Sequence, residues 1–239
     1  MRRRALLGGL AGLAGFGLDA GPALAAPDRL PRRGRLVHAD DFRHGLDRWV
    51  LEAEKAAKVG VRGGVLDIDT PAGLTLWFRP ELIGPVMIQY EAQAVSAGGP
   101  NDRVSDLNAF WMARDAGGGS PLATPRTGAF ADYDTLKTYY VGQGGNANTS
   151  TRFRRYVGRS GDRPLLPQND HAAADEMLVP NRWQTVRLVA DGGLIQYWSD
   201  GRKLFELNDA EPYARGWFGL RTTLSHLRVR RFRVFQLAR

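Results

Sequence analysis

From Asp40 to the C-terminus the chain is a succession of short runs in which apolar and polar residues alternate with a period of two. In VLDIDT, Val65, Asp67 and Asp69 oppose Leu66 and Ile68. VMIQYEAQAV, 86–95, alternates more loosely and is rich in strand formers. DLNAFWMA, TLKTYYVG and STRFRRYVG follow. The run 182–209 is cut by Asp191-Gly192-Gly193 and by Asp200-Gly201, both hairpin-turn signals. The last run, 217–237, loses its alternation at Arg230-Arg231, which predicts a β-bulge. Helical periodicity is weak, and only LEAEKAAKVG, 51–60, is read as a short helical turn. Gly98–Arg103 and Gly117–Thr127 are expected to be polar loops at a sheet rim. Short strands joined by glycine-rich turns predict an all-β antiparallel sandwich or barrel, without internal repeats.

The first residues follow a different pattern. Arg2, Arg3 and Arg4 precede an apolar, glycine-rich stretch, Leu6 to Leu18, too short for a membrane-spanning helix of about 20 residues. Ala23-Leu24-Ala25 is a small-x-small cleavage pattern, and Arg3-Arg4-Ala5-Leu6-Leu7 is similar to the twin-arginine export signal. The expectation is a signal peptide over 1–25, cleavage after Ala25, and a periplasmic or extracellular protein of one domain, 26–239. No later segment is apolar enough to span a bilayer, so no membrane contact is expected after cleavage. The chain has no cysteine, which removes disulfides and thiolate metal sites and leaves stability to the core.

Charge adds a partner. Of the formal +8, the leader holds a net +2, and Lys55, Lys58, Lys137 and Lys203 are the only lysines. A GC-rich genome explains an arginine excess as well as function does. Functionally, the guanidinium fork holds carboxylates and phosphates at two points. Nucleic acid is one polyanion to weigh, but no helix-turn-helix, zinc-finger or RNA-recognition pattern is present. An acidic polysaccharide suits an exported protein better.

Candidate chemistry concentrates in YYVGQGGNANTSTRFRRY, Tyr139 to Tyr156, where amides, hydroxyls and glycines lie between aromatic and arginine-rich ends. Strand parity puts Arg152, Arg154 and Tyr156 on one face and Phe153 and Arg155 on the other, while Lys137, Tyr139 and Val141 oppose Thr138 and Tyr140. A core-facing strand does not carry Arg152 and Arg154 together, so that face is open or lines a groove; a solvated convex face is the alternative. In RVSDLNAFWMARD, Asp106 and Asn108 share a face with Phe110, and Arg103 stands just before them. His38, His44, His171 and His226 lack metal-ligand spacing, so no metal and no cofactor are expected. His171, in a polar loop, is the best placed of the four to act as a base.

These runs carry a resemblance. DDFRHGLDRWVLE, and the C-terminal hairpins with G-x-F-G-L-R and R-x-F-x-V, resemble secreted concanavalin A-like (lectin/glucanase) jelly rolls. RVSDLNAFWMA with the Tyr139–Tyr156 stretch is similar to an uncharacterised family of such domains associated with bacterial polysaccharide breakdown. The resemblance implies two antiparallel sheets, one forming a face that cradles a glycan. On that face Arg103, Asp106, Asn108, Tyr139, Gln143, Asn146, Asn148, Arg154 and Tyr156 are expected to bind sugar. Tyr140, His171 and Arg152 are expected to carry β-elimination on a uronate: a cation on the carboxylate, a base for the C5 proton, an acid for the leaving oxygen. A glycan-binding module without catalysis is the alternative, and a glycoside hydrolase with two carboxylates, with Asp102, Asp106, Asp132 and Asp134 as possible acids, is a third. The E-x-D-x-x-E motif of laminarinase-like jelly rolls and the R-x-E-x-R and Q-I-H motifs of alginate lyases are absent. The protein is expected to act as a monomer.

Overall fold

A computed structural model of the chain describes residues 28–238. The expected leader, 1–25, lies outside these residues. Fourteen strands account for the described chain: β1 Arg33–Asp40, β2 Trp49–Ala53, β3 Lys58–Arg62, β4 Val65–Phe78, β5 Leu82–Ile83, β6 Val86–Ala94, β7 Leu107–Asp115, β8 Leu136–Gly144, β9 Ser150–Val157, β10 Asp170–His171, β11 Gln184–Asp191, β12 Leu194–Ser199, β13 Arg202–Asn208 and β14 Arg215–Leu237. All pairings are antiparallel. The hairpins at Asp191-Gly192-Gly193 and Asp200-Gly201 form as the sequence indicates. The helical turn expected over 51–60 does not form: Leu51 lies in β2 and Lys58 opens β3, both paired to β4. Tertiary pairing overrides a weak local helical preference there.

Two long strands, β4 and β14, make the sandwich by passing from one layer to the other. The first half of β14 lies between β7 and the second half of β4, continuing a layer that runs β2-β4-β14-β7-β8-β9-β10. Its second half pairs with β6 and with β1, continuing the layer β14-β6-β11-β12-β13. The crossing is marked by a register shift between Thr223 and Ser225, where Leu224 has φ +44°. A second bulge lies where the alternation slipped, between Arg230 and Arg233, with Arg231 at φ +57°. Each bulge bends the strand and restores inward placement of the apolar residues beyond it.

The core between the layers is built from the inward residues of both, including Leu74, Leu76, Ala109, Trp111, Tyr139, Val141, Phe153, Leu188, Tyr197, Phe218 and Val234. Burying such a side chain contributes about 1.5–3 kcal/mol, so these alternating positions dominate the stability. β7 and β8 are buried along nearly their whole length, on both faces. Their outer face carries a second cluster: Trp77, Phe110, Ala113, Tyr133, Leu136, Tyr140 and Tyr156. Gly219 makes this possible, because a Cβ there would lie 2.8 Å from the Trp77 ring. Trp77 can therefore settle over the strand and stack on Phe110, with centroids 5.7 Å apart.

Candidate functional site

The register of the first layer lines up residues from distant parts of the chain. One transverse row on its outer face reads Glu52, Thr75, Arg221, Asn108, Gly142, Arg152, Asp170 across β2, β4, β14, β7, β8, β9 and β10. The neighbouring row reads Val50, Trp77, Gly219, Phe110, Tyr140, Arg154. A polar row thus lies beside an aromatic one on a single sheet face.

The segment linking β7 to β8, residues 116–135, covers the β2-β4-β14 side of these rows. Glu52 is buried beneath it and accepts hydrogen bonds from Trp77 Nε1 at 2.8 Å, the Tyr133 hydroxyl at 2.8 Å and the Arg126 amide at 3.0 Å. Arg221, also buried, donates to Thr75 Oγ1 and to the Gly128 carbonyl, each at 3.0 Å. Its guanidinium faces the rings of Phe130 and Tyr133 at 4.9 and 4.7 Å. No carboxylate forms an ion pair with it among the described residues, so the two rings and two oxygens carry that charge.

Beyond the covered part lies a pocket of about 110 Å³ lined by Asp106, Phe130, Tyr140, Gly142, Gly145, Asn146, Ser150, Arg152 and Arg154. Gly142 leaves room for it: a Cβ there would be 3.1 Å from the Tyr140 hydroxyl and 3.3 Å from Asn108 Oδ1. Asn108 donates through Nδ2 to Asp106 Oδ1 at 3.2 Å, while its Oδ1 is buried and unpaired. Arg103 pairs with Asp106 Oδ2 at 3.1 Å, and Ser105 donates to the same oxygen. Asp106 is therefore held in place, at φ +57°.

The rim of the pocket is a left-handed turn. Gly144, Asn146, Ala147 and Asn148 all have φ between +53° and +68°. Glycine and asparagine tolerate that conformation, but Ala147 carries its cost of about 1–2 kcal/mol. Side-chain bonds fix the turn. Asn148 exchanges hydrogen bonds with the Leu178 backbone at 2.9 Å in both directions, Asn146 Nδ2 donates to Ser150 Oγ at 3.0 Å, and Thr149 Oγ1 donates to the Asn146 carbonyl at 2.9 Å.

Two arginines enter the pocket in different states. Arg152 is bound by Asp170 through Nε at 2.7 Å and Nη2 at 3.2 Å. Arg154 donates to the carbonyl of Arg163 and forms no ion pair with a carboxylate among the described residues. Burial lowers the pKa of its guanidinium, which nonetheless stays charged. Burial also raises the Tyr140 hydroxyl well above the ordinary phenol value, with Tyr156 adding to the rise. Tyr140 is consequently a proton donor at neutral pH, with no hydrogen-bond partner among the described residues.

The structure brings Asp106, Tyr140, Asn146, Arg152 and Arg154 together in the pocket lining, with Asn108 and Arg103 bonded to Asp106 behind it and Tyr156 packed beside Tyr140 at 5.6 Å. Four expected members lie elsewhere. Tyr139 points between the layers, donating to Asp209 Oδ2 at 2.6 Å. Gln143 shares that parity and accepts from the Tyr197 hydroxyl and from Gln184 Nε2, each at 2.7 Å. Asn148 is committed to Leu178. His171 pairs with Thr151, one residue out of register with Arg152, so it faces away from the pocket. There its ring packs tilted against Phe205 at 4.4 Å and meets Glu176 at 2.9 Å. Reading the loop alone missed that two-residue strand, whose parity decides the side.

Sequence reasoning passed over Arg221, Glu52 and Phe130. A signal existed for the first: an arginine inside the apolar run WFGLRTT. Glu52 and Phe130 reach the face through contacts distant in sequence and leave no local sign.

The family model described as "Domain of unknown function (DUF6250)" matches residues 68–232. No curated protein matches the sequence. The chain is similar in structure to a Bacillus subtilis protein of unknown function with a galectin-like fold, at 14% identity and a TM-score of 0.67, over 88% of this chain and 100% of that one. It is also similar to the carbohydrate-binding module CBM66 from Bacillus subtilis, at 8% identity and 0.54, over 80% and 97%. A third similar structure is the exoplasmic/lumenal domain of VIP36 in its Ca²⁺/Man3GlcNAc-bound form, at 12% identity and 0.59, over 86% and 92%. At these identities the likeness is one of fold: a galectin-like, concanavalin A-like jelly roll.

Proposed function

We propose that this chain, which belongs to the DUF6250 family, is an exported carbohydrate-active protein that holds an acidic, uronate-containing glycan on the outer face of β7–β10. One observation carries the reading: Arg154 and the Tyr140 hydroxyl share a small pocket, Arg154 having no carboxylate partner and Tyr140 no hydrogen-bond partner among the described residues, with the buried Oδ1 of Asn108 behind Gly142 in the pocket wall. The Tyr140 hydroxyl, free of a partner among the described residues, is open to a hydrogen bond with a sugar oxygen. A uronate carboxylate against Arg154 gains a charge-assisted contact. The carbohydrate-binding module and the oligosaccharide-bound domain among the similar structures support a glycan as the partner.

Recognition is the role this geometry supports best. A second reading, β-elimination, is favoured by Tyr140, whose protonated hydroxyl lies beside Arg154. In that reaction a base removes the C5 proton, the C4–O bond breaks as a C4=C5 double bond forms, and an acid protonates the leaving oxygen. Tyr140 fits the acid, Arg154 the carboxylate clamp, and Asp106 is the carboxylate placed to take the proton. Hydrolysis with paired carboxylates is less favoured, since Asp106 is the one acidic side chain lining the pocket among the described residues. Incubation with pectate, alginate, glucuronan and a neutral glucan tests these readings. Retention of the acidic polymers alone supports recognition, and new ultraviolet absorbance of a double bond establishes elimination. Reducing ends without that absorbance mean hydrolysis, and equal retention of the neutral glucan overturns the anionic reading.

A further inference from the structure

An open groove would let a polymer pass across the whole sheet, but this face is blocked. On the β14 side the wall is Phe130, whose ring lies 5.5 Å from that of Tyr140. Behind it Tyr133 is fully buried and stacks on Phe110 at 5.3 Å. This wall is fixed rather than laid on: it is bonded from below by Glu52 and Arg221, both buried. Along the strands the pocket is closed at one end by the left-handed turn, tied to Leu178 by Asn148. At the other end stands Arg163, stacked on Phe130 at 4.7 Å, with its carbonyl receiving Arg154. The remaining side ends at the Arg152–Asp170 pair, partly exposed on the last two strands of the sheet.

We infer, on the reading that the ligand is an acidic glycan, that the pocket takes the terminal residue of the chain and rejects internal ones. An internal residue has neighbours at both ends, and these must leave in different directions. Here three directions are occupied by anchored protein, and the fourth leads over a partly exposed ion pair to the edge of the sheet. The volume agrees: about 110 Å³ is well under the roughly 300 Å³ at which small-molecule sites begin, so the pocket has no room for more than one sugar unit. Selectivity for the end then comes from exclusion rather than from an added contact. Arg154 holds the carboxylate of the end residue, and the remainder of the chain leaves over Arg152, already neutralised by Asp170.

The test is calorimetric titration of the full protein with galacturonate, mannuronate and glucuronate oligosaccharides of two, four and six units. The hexasaccharides are also titrated with both ends capped by a bulky aromatic group. Affinity per chain should be nearly independent of length, and capping should lower it by about tenfold or more. Phe130→Ala, which opens the wall, should restore binding of the capped chains if it keeps its melting temperature; the wild-type comparison stands without it. Affinity that rises with length and ignores the caps places the site on chain interiors and overturns the inference, leaving the acidic-glycan reading intact. Absence of binding to every uncapped oligosaccharide, by folded protein, overturns both.

Discussion

Arg152 and Asp170 form a two-point ion pair across β9 and β10, with contacts of 2.7 and 3.2 Å. Arg154, two residues along the same face, has no such partner among the described residues. The two arginines therefore differ in what they can offer a ligand, although their sequence positions look equivalent. Arg154→Ala should weaken binding of an acidic oligosaccharide about ten- to a hundredfold, the loss of one charge-assisted hydrogen bond of about 1.5–3 kcal/mol. Arg152→Ala should weaken it less than tenfold. Both variants should keep melting temperatures near wild type, because partly exposed arginines contribute little to stability. Titration beside thermal denaturation separates the effects, and equal losses for both variants would remove the distinction drawn here.

Glu52 organises the wall. It is the acceptor for the Trp77 indole below the segment 116–135 and for the Tyr133 phenol and Arg126 amide that belong to that segment. Glu52→Ala strands those donors in a dry site at about 1 kcal/mol or more each. The melting temperature should fall by about 6–12 °C, at roughly 2–4 °C per kcal/mol for a chain of this size. Proteolytic cleavage should appear first within 116–135. Glu52→Gln, which keeps one carbonyl acceptor, should lose about half as much.

The division of each strand between its two faces was legible in the sequence, because a period of two fixes parity once a strand is recognised. Hence Arg152, Arg154 and Tyr156 share a side as expected, and so do Asp106, Asn108 and Phe110. Which side was the core was not legible from Tyr139 and Tyr140, since both are aromatic and both are buried, one between the layers and one under the loop. The bulge at Arg231 announced itself as a slip in alternation. The transverse row that joins Glu52, Arg221 and Asn108 did not, because register between strands tens of residues apart depends on the whole packing. His171 illustrates the same limit: a shift of one position relative to Arg152 moved it to the far side of the sheet.

Stability should fall on the acid side through Asp209. Burial works against its charge, but hydrogen bonds from the Tyr139 hydroxyl at 2.6 Å and from Arg155 Nε at 2.7 Å prevail, so its carboxyl is held below its usual value. A depressed carboxylate contributes its full stabilisation above about pH 4 and loses it as pH falls through the folded-state value. Asp209→Asn should lower stability at pH 7 and flatten this acid arm. Denaturant melts between neutral pH and pH 2–3 check it, and an unchanged acid slope in the variant would assign the effect to other groups.

The alkaline arm belongs to the tyrosines. Burial raises Tyr90, Tyr140 and Tyr197, and pushes Tyr156 up to about 12. A raised pKa contributes stability fully present below the unfolded value of about 10, lost as pH rises through the folded value. For Tyr156 that window is about 10 to about 12. Tyr90 offers the cleanest probe, because its hydroxyl is buried without a partner among the described residues. Tyr90→Phe should stabilise the protein at neutral pH by about 1 kcal/mol and make the alkaline decline shallower. A loss of stability at neutral pH would mean that the hydroxyl is satisfied in solution.

Gly142 is where fold and site can be pulled apart. Its backbone belongs to a regular strand, so alanine meets no backbone strain; what it meets is the Tyr140 hydroxyl at 3.1 Å and Asn108 Oδ1 at 3.3 Å. Both are side-chain atoms that can yield by a few tenths of an ångström. Gly142→Ala should therefore change stability by less than about 1 kcal/mol, with removal of a glycine from the unfolded chain offsetting the crowding. The added methyl group projects from Gly142, in the pocket lining, against the Tyr140 hydroxyl that a sugar would meet. Affinity for an acidic oligosaccharide should drop about tenfold or more, roughly 1.4 kcal/mol, while the melting temperature barely moves. Tyr140→Phe supplies the control: it deletes the hydroxyl without filling the pocket, and should weaken binding to a similar degree. If Gly142→Ala binds as well as wild type, the ligand does not enter beside Tyr140, and the pocket is a packing feature of the sheet.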